Sequence, residues 1–455
     1  MLLIILSLIG LSFVQGLPGI VETVAGGGPS HKGKDSECNN FERSKDGVGS
    51  QARFNYPWGI AYDIHNNQVY VADCGCMDSE HRTDLIRRID LKTHQVTTVA
   101  GSTQGFRDGF GHEAHFQHIA GILLDPELEM LYIADSGNNR IRVMYLSNYK
   151  VDTIAGLSSK GFVDQSVLSS HFNNPQSLAL MRDKDSKRAL FVSDTDNHAI
   201  RVIHLESDNT GDVKTIAGGN KGFKDGYKLN ARFYFPTQIT IDSLGQYVYI
   251  SDHYNHAIRR LEISSGLVTT LTSEGFQIRL DKGAPSPATP TGRPVTIHYP
   301  EGIIYDPDYE ALYVCEFQTH VIQVVNLKGF VKPLAGSGFQ GRKDGVGQTA
   351  KFYHPSGMTF DRKSRRLFVS DQYNHLVRSI SALGSKKKFL RVAKKAEQMI
   401  TNKGSINTSS SSTQTMYIAG GFLLVMFGAV VIRPLFRLVY KLVNSEQSQN
   451  LLYRD

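Results

Sequence analysis

"SDTDNHAIRVI", residues 193–203, places two Asp, one Asn, one His and one Arg within a single short stretch. Read alone, such a cluster suits a metal site, half of a catalytic dyad, or plain scaffold. Its recurrence decides between them. "ADSGNNRIRVM" begins at Ala134, "SDHYNHAIRRL" at Ser251, "SDQYNHLVRSI" at Ser370, and a looser "CEFQTHVIQVV" at Cys315. The leading acids are Asp73, Asp135, Asp194, Asp252, Glu316 and Asp371, so the gaps are 62, 59, 58, 64 and 55 residues. A residue set returning at a near-constant period is evidence of repeat architecture before it is evidence of a site.

Each copy ends a short β-rich run: "QVYVAD", "MLYIAD", "ALFVSD", "YVYISD", "ALYVCE" and "RLFVSD". A second run follows it, a third of the type "VTTVAG" comes later, and an upstream element such as "ARFNYPWGIAYD" (52–63) precedes it. Four strands of Val, Ile, Tyr and Phe between Gly, Asp and Asn turns make one antiparallel propeller blade. Six units are present, but the sixth stops at "SISAL" without its outer strand. The missing strand stands at the other end of the chain, "GIVETVAGGG" (19–28). An all-β, six-bladed propeller whose N-terminal strand completes the last blade leaves no open edge.

The run D-G-x-G-x-x-A-x-F-x-x-P-x-G-I, then Y-V-A-D-x-x-N-H-x-I-R, then V-x-T-x-A-G resembles the NHL-repeat family of six-bladed propellers, over residues 20–382. The resemblance implies a propeller used mainly for binding, outside the cell or, in some members, on RNA. It also implies a minority of enzymes, of which the peptidyl-hydroxyglycine lyases are an example.

The chain ends add a location. "MLLIILSLIGLSFVQG" reads as a signal peptide over 1–16. The propeller takes 17–384, and a basic, then Ser/Thr-rich stalk takes 385–415. "MYIAGGFLLVMFGAVVI" (416–432) holds 17 residues without a charge, the lower limit for a spanning helix. Arg433, Arg437 and Lys441 follow it, which places the tail, 433–455, in the cytoplasm. The expectation is a single-pass type I membrane protein with its propeller at the cell surface or in a secretory lumen. A signal peptide carries the domain away from cytoplasmic RNA, so nucleic acid is not an expected partner. In such a lumen Asn407, in Asn-Thr-Ser, is a glycosylation acceptor. A disulfide from Cys38 to Cys76, with Cys74 the alternative, would tie the first blade, and Cys315 would be a buried free thiol. The net charge of +7 suggests an anionic partner only weakly.

Residues shared by every blade are scaffold, so a site is sought where the copies differ. The Asn-His pairs are expected to shape turns, as are Asp46-Gly47, Asp108-Gly109, Asp225-Gly226 and Asp344-Gly345, whose glycines would take positive φ. No calcium-loop pattern of alternating oxygen ligands appears among them. The loop entering each inner strand and the loop after each second strand should share one face. There the variable positions are Arg53, His115, His171, Arg232 and Lys351, then Tyr56, His118, Tyr299 and His354, then Trp58 and Glu301. Aromatic and cationic side chains suit a protein or glycan ligand, and a binding role with no cofactor is the preferred reading. The alternative is a metal-dependent lyase or hydrolase, with zinc held at the channel mouth by His115, His118, His171 and His354.

Overall fold

The computed structural model describes residues 19–27, 44–75, 83–182, 188–206, 211–273 and 297–381. They form six antiparallel sheets of four or five strands. The inner strands are Pro57–Asp63, Ile119–Asp125, Pro175–Arg182, Pro236–Ile241, Pro300–Asp306 and Pro355–Asp361. Each touches the next and the last touches the first, so the ring is closed. Blade 1 shows the plan: Pro57–Asp63, Gln68–Asp73, Thr83–Asp90 and Gln95–Thr103, from the axis outward. Apolar side chains alternate along these strands, and the buried ones meet those of the neighbouring blade. Tyr70 and Ile86 of blade 1 share a cluster with Phe116 and Leu131 of blade 2.

The sixth sheet joins distant parts of the chain. Ile20–Ala25 lies antiparallel to Leu376–Ser381, with Ile20 opposite Ser381 and Thr23 opposite Arg378. Asp344 receives both the Thr23 amide and its hydroxyl at 3.1 Å. Thr98, Thr215 and Thr270 bond Asp46, Asp164 and Asp225 in the same way within continuous blades. The N-terminal strand therefore carries the side chain its place in the blade requires.

At one end of the ring the inner strands come together closely. A Cβ at Gly59, Gly121, Gly302 or Gly357 would lie 2.2, 2.4, 2.0 or 2.2 Å from a carbonyl oxygen of the following inner strand. That approach explains the Pro-x-Gly signature. Along the axis a cavity of about 240 Å³ is walled by aliphatic groups, among them Ile60, Ile122, Leu178, Ile239 and Met358.

The Asp, Asn and Arg of the repeated motif form a buried ion-pair network. Arg201 is fully buried and donates to Asp194 (2.7 Å), Asp164 (2.6 Å) and the carbonyls of His171 and Val163 (3.1 and 2.9 Å). Its guanidinium lies over the rings of Phe162 and Phe172, 5.0 Å from each. Asn197 bonds the same Asp194 at 2.8 Å and the Gly161 carbonyl at 2.7 Å. Arg87, Arg142, Arg259 and Arg378 repeat the ion pair with Asp73, Asp135, Asp252 and Asp371, and all are fully buried. Each guanidinium thus ties the second strand, the entering loop and the approach to the inner strand into one unit.

Blade 5 lacks the guanidinium, because Gln323 and Glu316 stand where other blades have Arg and Asp. Glu316 is buried and accepts from the His298 amide at 3.1 Å and from the Thr319 hydroxyl. Burial pushes its carboxyl up to about 7.

Of the Asp-Gly glycines, only Gly226 and Gly345 take positive φ, at 154° and 158°. In three blades the tight left-handed turn falls two residues later, at Gly49, Gly111 and Gly347, with φ of 53°, 50° and 54°. Lys228 holds that conformation in blade 4. Cys315 is a fully buried thiol, raised well above its ordinary range by burial. No helix among the described residues is long and apolar enough to cross a membrane. The segments 1–16, 385–415, 416–432 and 433–455, with Cys38, Cys76 and Asn407, lie outside the described residues.

Candidate functional site

Strand direction alternates within a blade, so the segment entering each inner strand and the turn after each second strand meet on one face. Both contribute non-glycine residues with left-handed backbone. Before the inner strand these are Tyr56, His118, Asn174, Phe235, Tyr299 and His354, with φ between 43° and 64°. After the second strand they are Asn139, His198, His256, His320 and His375, between 49° and 59°. This conformation costs a side-chain-bearing residue about 1–2 kcal/mol, and a hydrogen bond across the blade junction offsets it. The amides of Tyr56, Tyr299 and His354 donate to Nδ1 of His375, His256 and His320 at 3.1, 3.1 and 3.2 Å. Phe235 donates to His198 at 3.4 Å, and Asn174 to the Asn139 side-chain oxygen at 3.0 Å. The repeated histidines are therefore acceptors that join neighbouring blades, and Nδ1 must carry no proton there.

This geometry has a pH consequence. Burial holds His198 and His320 below the ordinary imidazole value. Stability from these two is fully present above the unfolded value near 6.5 and is lost as pH falls below it. His198→Asn and His320→Asn copy the Asn139 solution. Each should keep the junction and flatten the loss of thermal stability between about pH 7 and 5. An acid slope unchanged from wild type would refute the acceptor role.

The same face carries a belt of rings. Tyr56 meets His375 and Tyr373 at 4.7 and 5.1 Å. Tyr373 meets Tyr353, His354 and Phe317 at 5.2, 4.4 and 6.1 Å. Phe317 continues to His253 at 6.4 Å, which joins Tyr299 and Tyr254 at 5.5 and 4.8 Å. Tyr254 reaches Phe235 and Tyr234 at 5.1 and 5.0 Å. The belt spans blades 4, 5, 6 and 1, and most of its tyrosines are half-exposed. Blades 2 and 3 put Asn139, Asn173, Asn174 and Asp196 at the corresponding places.

A buried histidine–glutamate pair lies beneath it. Ser136, Thr195 and His253 follow the motif acid and bond the Pro175, Pro236 and Pro300 carbonyls of the next blade at 2.5, 2.7 and 3.1 Å. Cys74 holds this place in blade 1, its thiol donating to the Ile119 carbonyl at 2.5 Å. His253 Nδ1 also lies 3.0 Å from Glu301, both groups buried. Burial alone would lower the imidazole, but the Glu301 carboxylate and Pro300 carbonyl outweigh it and hold His253 above its ordinary value. Among the described residues no other blade has this pair.

The sequence-derived site residues divide into separate groups. Tyr56, Tyr299 and His354 belong to the belt. Trp58 and His118 stand edge to face at 5.3 Å between blades 1 and 2. Glu301 is buried against His253. Arg53, His115, His171, Arg232 and Lys351 alternate with the buried Ala and Phe of their element, so their side chains leave from the other side of the chain. His115 Nδ1 lies 2.9 Å from the Thr103 carbonyl and His171 Nδ1 3.0 Å from that of Ser159. These two engage the ends of outer strands and the loops beyond them, and do not join His118 and His354. The four-histidine zinc site is corrected accordingly: among the described residues no group of three or more His, Cys, Asp or Glu could hold a metal. Tyr254, Phe317 and Tyr373 were not singled out from the sequence, although two of them share the second position after the motif acid.

Comparison with known proteins agrees with this architecture. The NHL repeat family matches residues 54–76. NHL repeat-containing protein 2 of Homo sapiens is 28% identical over 315 residues, covering 62% of this chain and 40% of that protein. Protein SUPPRESSOR OF QUENCHING 1, chloroplastic, of Arabidopsis thaliana is 27% identical over 276 residues, covering 57% of this chain and 24% of that one. The matched region thus spans less than half the length of either relative. Among solved structures, an auxiliary nutrient binding protein from Bacteroides ovatus superposes with a TM-score of 0.54 at 15% identity, over 80% of this chain and 77% of its own.

Proposed function

We propose that this NHL-type propeller is a binding module, without chemistry of its own, held at a membrane by one helix over 416–432 and facing the outside or a lumen. The observation that carries the proposal is the belt of mutually touching rings across four adjacent blades. The motif residues beneath it are already committed to ion pairs and junction bonds. Rings with polar edges, set in a rigid frame, bury a sugar face or a protein side chain at little entropic cost. A protein or glycan ligand on that face fits best.

The test is to pass the full-length chain, in mild detergent, over immobilised glycan and secreted-protein arrays. The double variant Tyr254→Ala/Tyr373→Ala should weaken the strongest hit at least about tenfold. Lys92→Ala, an exposed change on the opposite face, should leave it unaltered. Equal binding by the belt variant, or no binder on either array, overturns the proposal. The topology is tested separately with protease added to intact cells. A C-terminal tag should survive until the cells are permeabilised, and its loss beforehand would reverse the orientation.

A further inference from the structure

The opposite face offers a second site. There the hairpin between the inner and second strands presents an Asp and, two residues into the second strand, a Tyr: Asp63 and Tyr70, Asp125 and Tyr132, Asp306 and Tyr313. In two of these blades the next blade supplies a guanidinium. Arg182 donates to Asp125 at 2.6 Å and Arg188 to the Tyr132 hydroxyl at 2.8 Å. Arg365 donates to the two oxygens of Asp306 at 2.9 and 2.5 Å and lies 3.5 Å from the Tyr313 hydroxyl. In blade 4 the ring of Tyr305 covers Tyr249, stacked at 5.9 Å.

Blade 1 has the Asp and the Tyr but, among the described residues, no such partner. Blade 2 sends Leu124, Pro126 and Glu129 to that place, and a cavity of about 200 Å³ remains. Asp63 and Tyr70 line it, each 2% exposed. Asp63 accepts the amides of His65 and Asn66 at 2.9 and 3.2 Å and the Asn66 side chain at 2.8 Å, which leaves acceptor capacity unused. The Tyr70 hydroxyl makes no hydrogen bond among the described residues. Arg88 also lines the cavity, but its Nη1 is committed to the Tyr149 hydroxyl at 2.8 Å. The carboxylates of Asp63 and Glu129 outnumber that one guanidinium.

We infer that this cavity is a socket for the guanidinium of an arginine, supplied from outside the propeller. The planar head would donate to Asp63, Glu129 and the Tyr70 hydroxyl, as Arg365 does to Asp306 and Tyr313. Its source is either an arginine side chain on a partner polypeptide or the free amino acid, and blocking the termini separates the two.

The experiment is calorimetric titration of the full-length chain with N-acetyl-arginine amide, free arginine and N-acetyl-citrulline amide, the last a neutral near-isostere. The blocked arginine should bind with Kd of about 1 mM or tighter, and the citrulline at least about tenfold more weakly. Glu129→Gln, an exposed change, should cost about fivefold, and Tyr70→Phe a similar factor. Binding of free arginine alone would keep the socket and assign it to a small molecule. Equal binding of citrulline, no binding by about 20 mM, or an affinity indifferent to Glu129→Gln overturns the inference. If Tyr70→Phe fails to fold, Glu129→Gln decides.

Discussion

Arg201→Met should destabilise the propeller by about 3–5 kcal/mol, far beyond the loss of one contact. The substitution leaves Asp194 fully buried with only the Asn197 side chain and the Asn173 amide to stabilise it. It also frees the carbonyls of His171 and Val163, which the guanidinium satisfies. The aliphatic part of methionine still fills the space between Phe162 and Phe172, so cavity formation contributes little. Arg201→Met combined with Asp194→Leu should recover a sizeable part of the loss, since the stranded charge is then gone. Gln323→Met, the matching change in blade 5, should cost about 1 kcal/mol, because a neutral amide rather than a guanidinium is removed there. Equilibrium unfolding in urea compares the three. If Arg201→Met and Gln323→Met cost the same, the guanidinium is not what ties the second strand to the entering loop.

The second large effect belongs to Glu316. Its carboxyl ordinarily titrates near 4.5 but is pushed up to about 7 by burial. Below 4.5 the folded and unfolded chains both hold the proton, and the group contributes nothing to pH dependence. Between 4.5 and 7 the unfolded chain gives the proton up while the folded one keeps it, so stability falls as pH rises. Above 7 the cost is constant at about 3 kcal/mol. Glu316→Gln should therefore stabilise the propeller by about that amount at pH 8 and by little at pH 4, with thermal melts at both as the measurement. The histidine junctions act in the opposite sense over part of this range, so the difference between variant and wild type is the informative quantity. A gain independent of pH would mean that Glu316 is ionised in the fold.

Much of this fold could be read from residue period alone. Six copies of one strand pair, and an orphan "ETVAG" strand where the sixth copy lacks one, leave few topologies open. The roles within the motif were harder to see. Arg201 looks like a surface cation in any linear reading, because arginine is almost never fully buried unless paired, and its partner Asp164 lies 37 positions away. His198 could be placed in a turn, but its function as acceptor for the Phe235 amide depends on the neighbouring blade. The belt was legible where aromatics precede the inner-strand proline, as at Tyr56 and Tyr299. It was not legible at Phe317, which follows Glu316 in the most divergent copy. The histidine-zinc alternative failed for a local reason: His115 lies between the buried Ala114 and Phe116 and engages the Thr103 carbonyl, away from His118.

The pairing of Ile20–Ala25 with Leu376–Ser381 also bears on how the molecule is made. A ribosome releases the first of these segments long before it has translated the second, and 361 positions separate Ile20 from its partner Ser381. Five blades can assemble in order as they emerge, each against the one before it. The sixth must wait for a strand that has been waiting since the start. Translation that stalls before residue 376 leaves Ile20–Ala25 without its antiparallel partner Leu376–Ser381, an unpaired strand edge on the incomplete product. Closing so remote a contact is slow compared with hairpin formation. The last seam thus closes only once both ends of the propeller have been made.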